Sequence, residues 1–476
     1  MVTEGSLTAQ SNLTVVKSAA PRTVLRGEGR VVKVYRDVTF GDRLRRLFGR
    51  SPAAREAANL RQARELDLPV PEILEDVQPA DGEETIVLRE IPGARALDEI
   101  ALAGDLAPRR RRTLTVALAG LIRRLLDAGL AHDDLHAGNV LVDETDSLWL
   151  IDLHRARFRP ALSERERRNA LLSLGRFFLL HGTRADRLRF LRAFDPETWR
   201  ESARPLESAL RDSCEAFWKR RLARRYTRSR HVRWVEHGDF HGIVLTSFEG
   251  VPAVVAPDER ERVIKSGRSS QVALRDVAGE RVVLKRHRRK KILAPLLDVF
   301  RGSRARRGFY AGHALLMRGL DTAEPLAWLE RTVAPGLPVE SLAVTRYAHG
   351  PAGLEAFRDV APDRRRERVR AIGRAVRRLH DAGFSHRDLK LDNWIWPDDG
   401  TRPVLLDLDG LRHRRAEPER VGRHLERLDR DLAEAGVSRT DRMRVVREAI
   451  GPAATDVRRR VLDGLAAKAR EARGRP

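Results

Sequence analysis

The sequence predicts an α+β fold that occurs twice in tandem, each copy having a small β-rich lobe followed by a larger helical lobe. Residues 131–139 read AHDDLHAGN and residues 385–393 read SHRDLKLDN. The elements around them recur in the same order with a period of about 250 residues, which is too long for a solenoid. At 476 residues the chain is long enough for two domains. We therefore predict domains at 1–230 and 231–476, joined within the arginine-rich stretch 219–234.

Each copy begins with short β-branched runs that indicate strands. One run in each copy contains a lysine: RVVKVYR contains Lys33, and RVVLKRHR contains Lys285. A helix, a loop and a long helical region follow, the last ending in LIRRLLDAGL in one copy and VRRLHDAGF in the other. After the repeated nine residues, a hydrophobic hairpin leads into a strand that closes on Asp152 or Asp407. Basic helices complete each copy.

The composition is that of a soluble globular protein, with 42% hydrophobic and 34% charged residues. No apolar run approaches the roughly 18 residues that a membrane helix needs. The opening MVTEGSLTAQ does not resemble a secretory signal. The single cysteine, Cys214, cannot form an internal disulfide. We therefore expect a cytoplasmic protein in a reducing compartment.

The formal charge of +24 is spread along the whole chain and is not gathered into one arm. This distribution argues against a nucleic-acid partner and favours attraction to substrate phosphates or to anionic lipid. We therefore expect peripheral contact with the inner face of the cell membrane. Only nine of the 92 Lys and Arg residues are lysine. A lysine inside a predicted strand therefore indicates a position that needs a compact point charge.

The order of polar residues in each copy matches the needs of phosphoryl transfer from ATP. Such a site requires a cation on the phosphates, carboxylate and amide oxygens that hold Mg²⁺, and an aspartate that aligns the acceptor hydroxyl. The residues are Lys33, Asp134, Asn139 and Asp152 in the first copy, and Lys285, Asp388, Asn393 and Asp407 in the second.

The pattern H-x-D-L-x-x-x-N followed by a strand-ending Asp resembles the protein kinase-like fold. The resemblance implies that Asp134 and Asp388 are catalytic bases, with ATP and Mg²⁺ as cofactors. It assigns metal binding to Asn139, Asp152, Asn393 and Asp407. Lys390, two residues after the second base, joins the catalytic set. HRDLKLDN is also the best support for a Ser/Thr protein kinase, which stays open as an alternative.

The segment after the strand-ending Asp distinguishes between kinase types. Residues 408–437 contain no Ser, Thr or Tyr, and Asp133 stands where protein kinases have the arginine that binds an activating phosphate. With AHDDLHAGNVL, the SxARRxF pattern at 303–309 and a DRxR pattern near the end of each copy, the chain resembles the bacterial lipopolysaccharide core kinases. This family phosphorylates Kdo or heptose hydroxyls of the inner core at the cytoplasmic membrane face. The resemblance implies such a sugar kinase, with at least one half active.

The phosphate-covering loop differs between the copies. Glycine lets backbone N–H groups approach phosphate, and the second copy offers Ser266 and Gly267 within SGRSS. The first copy has SAAPR at the corresponding place, without glycine.

The acidic partner of the strand lysine differs as well. Kinases hold this lysine with a Glu from the next helix. The first copy offers Glu56 on a helix that Ser51 and Pro52 would start, with Glu65 as a rival. The second copy has no Asp or Glu from 299 to 320. Each copy thus lacks something, so a non-catalytic nucleotide-binding pseudokinase scaffold also stays open, as does an aminoglycoside-type kinase.

Overall fold

The computed structural model describes residues 13–19, 22–80, 82–103, 106–227, 229–256, 261–267, 270–288, 302–333, 337–358, 360–398, 402–413, 417–451 and 455–473. The chain divides into two compact units, Met1–Cys214 (unit 1) and Glu215–Pro476 (unit 2). The division lies shortly before the predicted join at 219–234, and the domain limits 1–230 and 231–476 remain a prediction. Both units combine sheet and helices, which confirms the mixed helix-and-sheet part of the predicted fold class.

Unit 1 begins with an antiparallel sheet of five strands in the order β1-β2-β3-β5-β4. These strands are Thr14–Ala19 (β1), Arg22–Gly27 (β2), Arg30–Arg36 (β3), Ile73–Ala80 (β4) and Glu83–Arg89 (β5). Strand β3 contains Lys33, as the sequence predicts, and it lies between β2 and β5. Short strands complete the unit: Arg95–Ala96 (β6), Leu130–His132 (β7), Val140–Val142 (β8), Leu148–Leu150 (β9) and Ala156–Phe158 (β10).

The helices of unit 1 are Phe40–Leu47 (α1), Pro52–Glu65 (α2), Leu97–Ala103 (α3), Pro108–Asp127 (α4), Glu164–His181 (α5) and Arg184–Phe194 (α6). A further helix, Trp199–Tyr226 (α7), contains the point of division. Helix α2 begins where the sequence predicts, because the Ser51 hydroxyl accepts the backbone N–H of Ala54 at 3.0 Å and Pro52 occupies the first turn. Its buried face joins α4 and the strands in one hydrophobic core that includes Leu60, Ile86 and Ile122.

Unit 2 begins with a larger antiparallel sheet of seven strands in the order β11-β12-β16-β17-β15-β14-β13. These strands are Val232–His237 (β11), Phe240–Leu245 (β12), Arg262–Ser266 (β13), Ser270–Val277 (β14), Glu280–Arg288 (β15), Pro325–Thr332 (β16) and Pro338–Arg346 (β17). Strand β15 contains Lys285. Short strands follow at Phe384–His386 (β18), Trp394–Ile395 (β19), Val404–Leu405 (β20) and Leu411–His413 (β21).

The helices of unit 2 are Val251–Val255 (α8), Arg304–Leu316 (α9), Pro362–Asp381 (α10), Pro418–Glu434 (α11), Arg439–Ile450 (α12) and Thr455–Arg473 (α13). Two hydrophobic clusters form the interior, one around Phe309 and Trp328 beside the sheet and one around Phe357 and Trp396 among the helices. Within the described ranges, no helix combines the length and the apolar character needed to span a membrane.

Candidate active sites

The repeated nine residues form a turn whose side chains tie the predicted base to the predicted metal ligand. In unit 1, the backbone N–H of Asp134 donates to His132 Nδ1 at 3.1 Å. The Asn139 amide donates to the Asp134 carbonyl at 2.9 Å. The backbone N–H of Ile151 donates to the Asn139 carbonyl at 2.9 Å, which brings the strand that ends in Asp152 beside this loop. Because Asn139 uses its amide N–H groups as donors, its side-chain oxygen is left to accept or to ligate.

Unit 2 repeats the arrangement. Asp388 donates its backbone N–H to His386 Nδ1 at 3.1 Å, and the Asn393 amide donates to the Asp388 carbonyl at 2.8 Å. Burial lowers the pKa of His386 despite the neighbouring Asp407, so the ring is neutral at pH 7. With Nδ1 accepting, the proton lies on Nε2, which donates to the Asp407 carbonyl at 2.8 Å. The histidine therefore positions both the base loop and the strand-ending aspartate.

The two predicted bases have different ion-pair partners. Asp388 pairs with Arg427 of α11 at 2.8 Å, and Asp431 of the same helix accepts the backbone N–H of Leu391 at 2.8 Å. The predicted catalytic Lys390 lies 3.4 Å from Asp392. In the described part of unit 1, the contacts of the predicted base Asp134 are longer, with Arg155 at 3.5 Å and His136 at 3.9 Å.

The strand lysine of unit 1 has the helix partner that the sequence predicts. Lys33 Nζ lies 2.5 Å from Glu56 Oε1 and 3.4 Å from Asp152 Oδ1. Glu56 is fully buried on α2, whereas its rival Glu65 is exposed at the end of that helix. The Tyr35 hydroxyl donates to the other oxygen of Glu56, and burial together with the Glu56 charge raises the pKa of Tyr35.

Asp152 of unit 1 is paired with a cation that the sequence did not reveal. Arg22 of β2 contacts both carboxylate oxygens, its NH2 group donating to Oδ2 at 2.9 Å. His154 Nδ1 lies 3.3 Å from Oδ1. Burial alone would raise the pKa of Asp152, but the contact with His154 and the charges of Lys33 and Arg22 outweigh it and hold the pKa far below its usual range. The residue lies in the left-handed region at φ 72°, a conformation that Asp tolerates better than most residues.

The lysine of unit 2 has a different set of partners. Lys285 Nζ lies 2.9 Å from Asp407 and 2.8 Å from Asp409. The two carboxylates outweigh the effect of burial and raise the pKa of Lys285. His287 lies 3.7 Å from Asp409, and burial lowers the pKa of this histidine to about 4.

The position of the missing glutamate in unit 2 is occupied by glycine. Helix α9 is capped by Ser303 as α2 is capped by Ser51, and counting from the cap places Gly308 where unit 1 has Glu56. A Cβ at Gly308 would only touch Leu408, at 3.9 Å. The acidic partner of the lysine in unit 2 is Asp409, two residues beyond the strand-ending aspartate, and not a residue of the helix. A search of the helix sequence alone therefore could not find this partner. Residues 299–301 of the searched stretch lie outside the described residues.

The predicted phosphate-covering turn of unit 2 is partly described. Ser266 ends β13, and the backbone N–H of Gly267 donates to the Ser270 carbonyl at 2.8 Å. A Cβ at Gly267 would meet that carbonyl at 3.4 Å, an ordinary contact, so packing does not require glycine there. Arg268 and Ser269 of the SGRSS stretch lie outside the described residues. A role of Ser266 and Gly267 in phosphate binding remains a prediction.

The predicted residues of unit 1 line one cleft of about 890 Å³. Lys33, Asp134, Asn139 and Asp152 all face it, together with further cations on the first two strands. These cations are Lys17, Arg22 and Arg26. A cleft with clustered cations beside a carboxylate and an amide is suited to bind a polyphosphate.

These features define the class of protein: a strand lysine, a loop Asp–Asn pair and a strand-ending Asp recur in both units in the order that kinases use. A family model described as "Lipopolysaccharide kinase (Kdo/WaaP) family" matches residues 11–194 and again 257–448. The chain therefore belongs to the lipopolysaccharide kinase (Kdo/WaaP) family, and the resemblance seen in the sequence is confirmed.

Individual relatives are similar over shorter stretches. A 3-deoxy-D-manno-octulosonic acid kinase of Stenotrophomonas maltophilia (strain R551-3) is 37% identical over 147 residues, which cover 29% of this chain and 56% of that protein. The lipopolysaccharide core heptose(I) kinase WaaP of Pseudomonas aeruginosa is 34% identical over 131 residues, covering 25% and 46%. The chain thus spans about half the length of the curated relatives it matches. Among solved structures, the bifunctional kinase-methyltransferase WbdD is similar with a TM-score of 0.31 and 17% identity, covering 41% of this chain and 47% of that one.

The two units fit a divalent cation differently. In unit 2, Asp407, Asp409 and Asn393 offer oxygen atoms, the donors that Mg²⁺ prefers, and Lys285 is paired with both of these carboxylates. In unit 1, both oxygens of Asp152 already accept from Arg22. Glu56, Asp152 and His154 of unit 1 each offer a ligand atom within 4.8 Å of one another. Lys33 is already paired with two of these three groups.

Proposed function

We propose that the protein is an ATP-dependent kinase that transfers the γ-phosphate to a sugar hydroxyl of the lipopolysaccharide inner core. The observation that carries this proposal is the family match over both halves, each of which contains the complete Lys, Asp, Asn and Asp series. The named relatives act on Kdo and heptose, which fits an acceptor of this class.

In the proposed reaction the sugar hydroxyl oxygen bonds to the γ-phosphorus as the bond from that phosphorus to the β,γ-bridging oxygen breaks. The hydroxyl proton passes to the Asp388 carboxylate, which Arg427 orients at 2.8 Å. Lys285 contacts the α- and β-phosphates, and its pairing with Asp407 and Asp409 keeps it protonated. Mg²⁺, when held by Asn393 and Asp407, would neutralise charge that develops on the phosphate oxygens. Lys390 would face the transferred phosphate.

We further propose that each half is a protein kinase-like domain, with the sheet as a small lobe and the helices as a large one. Supporting this, the lysine of each half lies on a strand of the large sheet, while the base loop lies after the long helix α4 or α10. The domain limits 1–230 and 231–476 belong to this proposal.

The proposal includes peripheral contact with an anionic membrane at the cytoplasmic face, where the acceptor is made. Helix α1 supports it because Phe40, Leu44, Leu47 and Phe48 are 80%, 46%, 79% and 70% exposed. They recur at the spacing of a single helix face, and the segment 43–50 also contains four arginines. Exposed aromatic and leucine side chains beside arginines suit the headgroup boundary of an anionic bilayer.

The experiment that tests the sugar kinase is ADP release by the full chain with Mg²⁺ and ATP, with and without a Kdo–lipid A acceptor. We expect acceptor-dependent turnover that is lost in the double variant Asp134→Asn/Asp388→Asn. Asp363→Asn, an exposed aspartate in the first turn of α10, is the matched control and should retain turnover. Transfer to a generic basic protein in place of the acceptor would favour a Ser/Thr protein kinase. ATP binding without turnover with either acceptor would favour a pseudokinase scaffold.

A further inference from the structure

The carboxylate that would hold a divalent cation in unit 1 is already held by a guanidinium. Arg22 contacts both oxygens of Asp152, and the side chains are 17% and 14% exposed. His154 at 3.3 Å and Lys33 at 3.4 Å add two further contacts to Oδ1. A cation that ligated Asp152 would first have to displace a half-buried bidentate pair, which is among the strongest hydrogen-bonded arrangements in proteins.

Sheet register shows which residue of unit 2 corresponds to Arg22. Lys33 lies opposite Val24 of β2, and Lys285 lies opposite Val272 of β14. Arg22 and Ser270 each lie two residues before that partner. They also lie opposite corresponding residues of the lysine strand: Arg22 opposite Tyr35, and Ser270 opposite His287. Unit 2 therefore has a serine, which has no charge and a short side chain, at the position of the arginine.

The strand-ending aspartate of unit 2 is accordingly more open. Its side chain is 31% exposed, and Asp407 Oδ1 accepts from Lys285 and from the backbone N–H of Asp409. No arginine contacts Asp407 in the part of unit 2 that the structure describes. Asp409 adds a second carboxylate beside the lysine. Unit 2 thus has the uncharged Ser270 where unit 1 has Arg22, and the carboxylate of Asp409 where unit 1 has His154.

We propose that unit 1 binds a nucleoside triphosphate without a divalent cation. Arg22 takes the position of that cation, between Asp152 and the phosphates. Unit 2, by contrast, binds the nucleotide only together with the cation. A guanidinium has N–H groups beyond those that Arg22 gives to Asp152, so it can bridge a carboxylate and a phosphate as a metal ion does. Lys17 lines the same cleft and adds positive charge, as do Arg26 and Lys33, which are paired with Glu90 and Glu56. This inference rests on the proposed nucleotide binding.

Unit 1 can be tested in the full chain by disabling the other site with Lys285→Met. ATP binding is then measured by calorimetry in excess EDTA and in excess Mg²⁺. We expect the two dissociation constants to agree within about twofold. With Arg22→Ser added, we expect Mg²⁺ to tighten binding about tenfold or more, because Asp152 Oδ2 loses its Arg22 partner and becomes available to the cation.

The matched control is Arg26→Ser, which removes an equal charge from the same strand and cleft. Arg26 pairs with Glu90 at 2.5 Å. We expect this variant to weaken ATP binding about equally with and without Mg²⁺, since charge is lost but Asp152 stays paired. Thermal melting of each variant checks that unit 1 remains folded.

The reciprocal experiment transplants the arginine. In a Lys33→Met background, which leaves unit 2 to bind, we expect Mg²⁺ to tighten ATP binding about tenfold or more. Adding Ser270→Arg should reduce that dependence to about threefold or less, because the new guanidinium reaches Asp407 from the corresponding sheet position.

Three results would overturn the inference: tenfold tightening by Mg²⁺ in unit 1 with Arg22 present, an unchanged Mg²⁺ ratio after Arg22→Ser, or no ATP binding to unit 1 in EDTA. The proposed kinase function is judged separately, by acceptor-dependent ADP release. If unit 2 turns over acceptor while unit 1 binds no ATP in EDTA, only the inference fails. If neither unit binds ATP under any condition, both fail.

Discussion

Unit 1 places the acidic partner of its strand lysine on a helix, whereas unit 2 places it two residues beyond the strand-ending aspartate. Glu56 serves Lys33, and Asp409 serves Lys285. The base loops of both units nevertheless have nearly the same hydrogen bonds: the backbone N–H of the aspartate donates to the histidine, and the asparagine amide donates to the aspartate carbonyl. The comparison shows that this fold fixes the backbone of the site through buried neutral groups, while the charges around the lysine can be redistributed.

The two units differ in charge at corresponding positions of the sequence. Two residues after the strand-ending Asp, unit 1 has His154 and unit 2 has Asp409; two residues after the lysine, unit 1 has Tyr35 and unit 2 has His287. In unit 1 His154 lies 3.3 Å from Asp152, and in unit 2 His287 lies 3.7 Å from Asp409. Unit 1 has in addition the cation Arg22, where unit 2 has the uncharged Ser270.

The largest expected effect separates the two predicted bases. If the cation-dependent unit is the transferring one, Asp388→Asn should lower acceptor-dependent kcat by about 10²–10⁴-fold, because the hydroxyl proton loses its acceptor. Asp134→Asn should change kcat by less than about threefold. Steady-state ADP release by both single variants measures this. A loss confined to Asp134→Asn would reverse the assignment of the units.

The second prediction is that mild acid lowers the stability of unit 2 more than that of unit 1. Burial lowers the pKa of His287 and His313 to about 4 and that of His380 to about 3, all in unit 2. A depressed histidine pKa means that the unfolded chain binds protons first, so stability is lost as pH falls from about 6.5 towards 4. Each of these histidines should cost unit 2 about 2 kcal/mol at pH 5.

Unit 1 should lose less stability in mild acid than unit 2, although burial also lowers the pKa of one of its histidines, His132. Its Asp152 has a depressed pKa, so the stability that this carboxylate contributes is kept above its unfolded pKa and is lost only in stronger acid. Hydrogen exchange of peptides from each unit at pH 7 and pH 5 measures the difference. Equal loss of protection in both units would contradict the prediction.

A third prediction concerns the buried lysine–glutamate pair. Glu56→Gln should lower the local free energy of unfolding of unit 1 by about 3 kcal/mol, because it leaves Lys33 with only the more distant Asp152. Glu65→Gln on the same helix, at an exposed position, should change it by less than about 0.5 kcal/mol. Hydrogen exchange of peptides covering 30–65 provides the measurement. Similar effects of both substitutions would remove the special role of Glu56.

The same comparison can be tested by adding the missing acid to unit 2. Gly308→Glu introduces a carboxylate where the Cβ has room. We expect the new glutamate to compete with Asp409 for Lys285. Asp409→Asn alone should weaken ATP binding by about threefold to tenfold. In the Gly308→Glu background, Asp409→Asn should weaken ATP binding by less. Calorimetry on the four variants of this double-mutant cycle gives the coupling. Strict additivity would show that the two acids do not share the lysine.

The last prediction concerns the membrane. Leu47→Ser/Phe48→Ser on α1 should weaken partition onto vesicles of anionic lipid by about tenfold, because two exposed apolar side chains lose their burial in the interface. The control pair Val263→Ser/Ile264→Ser, exposed on β13 of unit 2, should stay within about twofold. Vesicle sedimentation at several salt concentrations measures both. Equal losses would place the contact elsewhere.

The order of residues along the chain was sufficient to predict the strand lysines, the base loops and the strand-ending aspartates, because each lies in a motif with fixed spacing. The pairing of Lys33 with Glu56 could be predicted because Ser51 and Pro52 mark the start of the helix that carries Glu56. Arg22 was missed because its partner is 130 residues away and only sheet register brings them together. Asp409 was missed because kinases place the acid on the helix, and the helix was where it was sought.

The register position shared by Arg22 and Ser270 has a genetic consequence. A single base change converts some arginine codons into serine codons, so the residue that distinguishes the two clefts can be exchanged in one mutational step. In a gene that carries two copies of a domain, one copy can keep its function while the other accumulates substitutions. Sampling this codon across related bacteria would show in which copy the arginine arose and whether it has ever reverted.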